Sequence, residues 1–562
     1  MQMTNRYFFI IILIIPFLFL SCSPKTPVVT SIDPKIGRMG EMITLTGNNF
    51  GVSRDESYVT IAGVSPTTSS YLLWQDNLII VRVPELGESG LVYVHTKGKK
   101  SNGVLFSNSA SVPRPVDGED MGFEPRITSI NPQAGVPGSI VVITGNNFGI
   151  SRENSLQAMS GVFFSWDFDS PSFNPFAVRE PEFIEVSEIE SGYESWSARE
   201  LRVRIPDGAV SGNMEIRTGH GISRPVYFEV SGRPGNKTFK DKRTYIVTYS
   251  VDIRVIEASR PNTLYLWIPQ PITSPTQRNV NLVSRSADPF VENHRGVSLF
   301  KLDNIGTGAN QSINLSFHVE VYAVESAIRP QSLRQERTPL SVMHTQNTTL
   351  LPSDNQQIRS VVASIVGREQ NPYTKARAIY DWIHANMRIT STSSADTNIP
   401  SALERRRADT YGATLLFTTM VRAAGIPCIP VAGVLIDRSG QTFRHYWAEL
   451  WIDGFGWLPV DPVMGSGTIP TTSGSGVLPG TLQVPESVRT ERDLANYYFG
   501  NIDNQRIAFS RGEIILPQRE SRGRMVSHKQ SYSLQNVWEE AVGGLETYSS
   551  LWGDITISGI YQ

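Results

Sequence analysis

Residues 422–462 read RAAGIPCIPVAGVLIDRSGQTFRHYWAELWIDGFGWLPVDP, and the punctuation of this stretch sets the local fold. Gly425 closes a helix whose apolar positions Ala413, Leu416, Phe417, Met420, Val421 and Ala424 recur at helical spacing. Three apolar runs follow, 429–436, 445–452 and 457–460, separated by Asp437-Arg-Ser-Gly440 and Asp453-Gly-Phe-Gly456, whose glycines suit tight reversals. The reading is a helix followed by an antiparallel meander. A second turn centred near residue 453 would set His445 opposite Asp461. A His beside a carboxylate is the orienting half of a catalytic triad, because the acid fixes the ring tautomer and stabilises imidazolium. The same pair also occurs across hairpins with no chemical role. Trp447 and Glu449 share the His445 face by two-residue alternation and are candidates to line a substrate cleft, with core packing the other reading for Trp447. A first turn centred near 439 sets His445 against Gly433, which leaves Cys428 five residues away, about 16 Å along the strand. Proton exchange needs about 3 Å. Cys428, between Pro427 and Pro430, therefore reads as a buried core thiol.

Arg422-Ala-Ala-Gly-Ile-Pro427, His445-Tyr-Trp-Ala-Glu449 and Gly456-Trp-Leu-Pro-Val-Asp-Pro462, in that order, resemble the marks of the transglutaminase-like core. This is a papain-related superfamily with a Cys-His-Asp triad. The resemblance covers 353–464, and the strand-rich stretch 238–330 resembles the β-domain often found ahead of such cores. It implies an α+β fold, amide-bond cleavage or exchange, His445 as the catalytic His and Asp461 as the catalytic Asp. In the family the nucleophilic Cys lies twelve residues before the Arg, at a helix start where the helix dipole favours thiolate. Here Thr410 stands at that position, in Ala408-Asp-Thr-Tyr-Gly412. A Thr hydroxyl is a far weaker nucleophile, and known Thr nucleophiles are activated by an adjacent amine. Thr410 thus reads as a helix N-cap, as an unusual nucleophile, or as a neighbour of the true equivalent position.

Farther upstream, 28–51 (VVTSIDPKIGRMGEMITLTGNNFG) and 126–149 (RITSINPQAGVPGSIVVITGNNFG) align without gaps and share 12 of 24 residues. Each copy alternates short strands with Pro and Gly turns and ends in Gly-Asn-Asn-Phe-Gly, whose Asn and Gly accept the positive φ of a tight turn. The Ser-Ile-x-Pro opening and this ending resemble the IPT/TIG family of immunoglobulin-like modules, over 27–107 and 125–232. The resemblance implies β-sandwiches that act as spacers or protein-binding units. The stretch 155–197 reads as an insertion in the second copy, rich in aromatic and acidic residues, either a contact loop or a loop folded back on its own sandwich. Residues 112–122 and 232–237 read as linkers. Beyond them Ile313, Leu315, Phe317, Val319 and Val321 alternate with polar residues as in a strand.

At about 150 residues per domain, 562 residues suggest three to five domains. The fold expected is therefore multidomain: two immunoglobulin-like β-sandwiches, a further β-domain and an α+β transglutaminase-like core, then a flexible loop at 465–480 and an ordered C-terminal extension at 486–562.

The first 22 residues combine a cationic start, the apolar run 7–20 and a small residue before Cys22, a secretory signal shorter than the roughly 20-residue span of a membrane helix. Phe19-Leu-Ser-Cys22 resembles the lipobox of bacterial lipoproteins, which implies a lipid on Cys22 and an exported chain held to a bacterial membrane, at the periplasmic face or the cell surface. Lys plus Arg number 51 against 53 Asp plus Glu, so no strongly basic surface invites nucleic acid. With Cys22 and Cys428 as the only cysteines, a disulfide scaffold and Cys-ligated metal sites are excluded. Histidines such as His318 and His384 show no ligand grouping, so no metal or cofactor is expected. The expected partners are the membrane and an envelope peptide, peptidoglycan or protein ligand. Three functions stay open: a binding module that has lost thiol chemistry, an acyltransferase or amide hydrolase using His445, Asp461 and Thr410, and an adhesin acting through its repeats.

Overall fold

The structure is a computed structural model that describes residues 25–561 apart from 55–56, 67–69, 85–88, 97–98, 109–123, 150–151, 153–159, 169–181, 188–191, 337, 392–397, 469–487, 489 and 529. The signal segment, Cys22, the linker 112–122 and most of the 465–480 loop lie outside the described residues.

The first repeat forms a compact unit of its own over its described residues. One sheet orders Val28–Asp33, Met42–Asn48, Leu78–Arg82 and Tyr71–Trp74, and the other orders Ile36–Gly37, Val104–Asn108, Gly90–Thr96 and Tyr58–Ile61. Alternate residues of both, including Ile43, Leu45, Val92, Val94 and Phe106, fill one core. The second repeat repeats this plan down to the bulge, which falls between Val29 and Ser31 in one copy and between Ile127 and Ser129 in the other. Asn49 and Gly51, like Asn147 and Gly149, take the positive φ expected of them. The stretch read as an insertion does lengthen the second copy, with Glu182–Glu185 as an added strand, and it folds back onto its own sandwich. Its described parts are the strands Gly161–Trp166, Glu182–Glu185 and Tyr193–Trp196, and the aromatic residues Phe164 and Trp166 are core residues rather than loop contacts.

The next domain is organised by one long strand, Gly235–Pro269, paired along one edge with Asn310–Ile328 and Val297–Asp303. Glu539–Trp552 and Thr556–Tyr561 pair with the same long strand. The C-terminal extension, expected to pack on the core, thus divides: Arg506–Arg511 joins the core sheet and the last strands complete the β-domain.

The transglutaminase-like core stacks Gln356–Val366, Pro372–Asn386 and Thr410–Ala423 on one face of an antiparallel sheet. The sheet order is Gly456–Val460, Thr442–Ile452, Cys428–Ile436 and Arg506–Arg511. Ile379, Ile383, Leu416, Phe417 and Met420 meet Ala432, Tyr446, Ala448 and Leu450 in one cluster, which is why the helical period and the strand alternation were both readable here. The opposite face is also covered, with Val431, Trp447 and Ala508 sharing a cluster with Val141, Phe164 and Trp166 of the second repeat. Gly425 ends the central helix at φ 81. The first hairpin has the expected register, Gly433 against His445. The second is centred one residue later than expected, with Ile452 against Gly456. Gly454 and Gly456, at φ 76 and 100, allow a longer turn than the one assumed.

Candidate functional site

Asp461 leaves the end of Gly456–Val460 and caps the short helix Pro462–Gly465, its Oδ1 accepting from the amides of Val463 (3.1 Å) and Met464 (2.9 Å). Its Oδ2 accepts from His445 Nε2 at 2.6 Å and from Arg506 Nη1 at 2.7 Å. Direct strand opposition does not make this contact. The ladder stops at Ala448 against Val460, and the turn into the short helix carries the carboxylate back to the imidazole.

His445 and Asp461 are fully buried, and Arg506 is nearly so. Burial alone pushes the Asp461 carboxyl up, but His445 and then Arg506 outweigh it and bring its pKa down to about 2. Arg506 also donates to Asp503 Oδ2 at 2.5 Å and lies over the Trp447 ring, 5.2 Å from its centroid. Burial opposes its charge, and Asp503 and Asp461 together more than offset that, so its pKa is raised. The result is a buried network in which one carboxylate oxygen serves two cationic or potentially cationic partners.

An ionised carboxylate only accepts hydrogen bonds, so the proton between His445 and Asp461 sits on Nε2. Nδ1 is then the ring nitrogen left to meet a nucleophile, and it is buried with no hydrogen-bond partner among the described residues. Thr410 makes no hydrogen bond to that nitrogen in this structure. It is the first residue of Thr410–Ala423. Nor is it the cap: Asp409 is, its Oδ1 accepting from the Gly412 amide at 2.7 Å. The acidic residue one position earlier reaches the free amide while Thr410 already has helical backbone. The helix is held close to the histidine's strand neighbour, with Tyr411 edge-on to Tyr446 at 5.0 Å and Thr414 Oγ1 donating to the Tyr446 carbonyl at 3.0 Å.

Trp447 and Glu449 lie on the His445 face as alternation required, but that face is roofed, so neither lines an open cleft. Trp447 is buried and stacks on His445 with centroids 6.1 Å apart. Glu449 is ion-paired with Arg511 at 2.6 Å. It borders a small cavity with Asp207, Lys237, Trp457 and Arg511. Cys428 pairs with Leu450 and is fully buried, and burial pushes its thiol up to about 12. It is inert chemistry at neutral pH. Among the described residues, no group of three or more His, Cys, Asp or Glu is placed to hold a metal ion.

Arg506 is the residue that reading the sequence missed. It arrives from the C-terminal extension, 45 residues after Asp461. Its only local signal is an arginine opening the strand Arg506-Ile-Ala-Phe-Ser-Arg511 ahead of three apolar residues, with Asp503 just before it.

Residues 359–462 match the transglutaminase-like superfamily, and residues 27–109 and 125–158 match the IPT/TIG domain. The chain therefore carries a transglutaminase-like domain behind IPT/TIG modules. An uncharacterized protein of Haemophilus influenzae is 25% identical over 185 residues, 28% of this chain and 47% of that protein. The cyclomaltodextrin glucanotransferase of Paenibacillus macerans is 25% identical over 84 residues, 15% of this chain and 12% of that enzyme. The chain thus spans less than half the length of these curated relatives. Among solved structures, a candidate cysteine protease from Cytophaga hutchinsonii aligns at 13% identity and TM-score 0.37, covering 58% of this chain and 92% of its own. The periplasmic domain of TgpA from Pseudomonas aeruginosa aligns at 14% identity and TM-score 0.23, covering 38% and 87%.

Proposed function

We propose that this protein is a lipid-anchored envelope protein whose transglutaminase-like domain binds an amide-rich ligand, a peptide or peptidoglycan segment, without turning it over. The observation that carries the reading is the Nδ1 of His445, unpartnered among the described residues: the base and its orienting acid are paired, and no thiol stands where the proton donor should be. Cys428 cannot substitute, because its thiol is buried and held protonated. Arg506 adds to the case by balancing the charge of Asp461, which weakens the carboxylate's hold on an imidazolium. The N-terminal signal and the lipobox around Cys22 support export and anchoring, and a multi-acyl anchor would hold the chain firmly to a membrane face.

The test is retention of purified peptidoglycan and of amide-containing peptides by the full chain in detergent, with the recovered ligand weighed by mass spectrometry. Saturable retention with unchanged ligand mass is the expected result. Shortened or amine-tagged products that disappear in His445→Ala would overturn the reading.

A further inference from the structure

One glycine of the repeated motif meets different surroundings in its two copies. Gly40 and Gly138 occupy equivalent positions of 28–51 and 126–149, and both have a left-handed backbone, at φ 78 and 88. A Cβ built on Gly40 meets nothing within 4 Å. On Gly138 it would stand 2.6 Å from Cζ2 of Trp451, in the strand that carries His445.

The contact continues across the turn that joins the His445 strand to the Asp461 strand. A Cβ on Gly454 would lie 3.5 Å from Val136 Cγ2, and one on Gly456 would lie 2.0 Å from Asp207 Oδ1, so both glycines are where the second repeat touches the turn. Asp207 accepts two bonds from Lys237 Nζ, at 2.7 and 2.8 Å, and the same ammonium donates to the Trp457 carbonyl at 2.7 Å. Both charged side chains are 4% exposed. Lys237 lies on the long strand Gly235–Pro269 and ties Asp207 of the second repeat to the hairpin, and removing either charged partner would strand the other in the interior. The apolar part of the contact is continuous as well, since Val431, Trp447 and Ala508 share a cluster with Val141, Phe164 and Trp166. Modules that act as spacers have small polar interfaces and move relative to their neighbours, whereas a large apolar interface with a buried ion pair does not.

We propose that the second repeat is a fixed wall of the transglutaminase-like domain that clamps the hairpin bearing His445 and Asp461. The inference stands whether or not the site turns over a ligand.

Native-state hydrogen exchange on the full chain in detergent, at rising denaturant, tests it. Amides of Ile140–Asn146 and Gly161–Trp166 are expected to open together with those of Thr442–Ile452. Gly40→Ala and Gly138→Ala share the cost of a left-handed backbone, and only the second meets Trp451. Gly138→Ala is therefore expected to speed exchange at the 453–457 turn by about tenfold and to separate the repeat from the hairpin, with Gly40→Ala leaving both unchanged. Lys237→Met, which keeps the apolar stem and removes the bonds to Asp207 and Trp457, is read in the same way and serves if Gly138→Ala does not fold. Amides of the second repeat opening at lower denaturant than the hairpin in the parent, or equal effects of the two glycine changes, would overturn the proposal.

Discussion

His445 Nε2 and Asp461 Oδ2 are 2.6 Å apart with both side chains fully buried, across a hairpin whose ladder ends three residues short of the histidine. The contact depends on the cap that Asp461 forms and on Arg506 as much as on the strands. It is therefore sensitive to charge, to pH and to the C-terminal extension.

Asp461 titrates at about 2 in the fold against an ordinary 3.8. A carboxyl depressed by folding contributes stability that is complete above its unfolded value and is lost as pH falls through its folded value. Between pH 5 and pH 2 the parent is expected to lose about 2 kcal/mol from this group. Urea unfolding across that range checks it, with Asp461→Asn lacking that share of the slope.

Arg506→Met leaves the buried carboxylates of Asp461 and Asp503 without the guanidinium they share. The expected cost is about 3–5 kcal/mol of unfolding free energy. Asp503→Asn combined with Arg506→Met should cost less than the sum of the two changes, because one of the stranded charges is gone. Chemical denaturation of the single and double variants measures the coupling.

Cys428 should resist maleimide in the folded chain up to about pH 9, since burial holds its thiol near 12, and should label at once in denaturant. Labelling of Cys428 itself in the native chain at pH 8, located by peptide mapping apart from Cys22, would contradict its place in the core.

Thr410→Cys puts a thiol at a helix start, and if it reaches the His445 Nδ1 that has no partner among the described residues, the imidazole will take up its proton. Alkylation of this thiol by iodoacetamide is expected to persist well below pH 8, and adding His445→Ala should return the pH profile to that of an ordinary thiol. This probes the geometry without a substrate.

The sequence made the helix, the meander and the first hairpin's register legible because the apolar periods are clean and Gly425 and Gly440 punctuate them. The second hairpin was misjudged by one residue because two glycines at 454 and 456 permit more than one turn. Alternation put Trp447 and Glu449 on the right face, but strand period carries no information about which layer covers that face. Thr410 and Asp409 are both good caps by residue type, and only the backbone shows that Asp409 takes that role. Arg506 and the last two strands depend on pairings between distant parts of the chain, such as Val251 with Trp552, which no local pattern encodes.

The measurement that bears most directly on the account is amide hydrolysis and amine incorporation by the full chain, beside Thr410→Ala, His445→Ala and Thr410→Cys. The account predicts a silent parent and a gain of activity in Thr410→Cys alone. Activity in the parent that both alanine changes abolish would contradict it and establish a threonine-dependent enzyme.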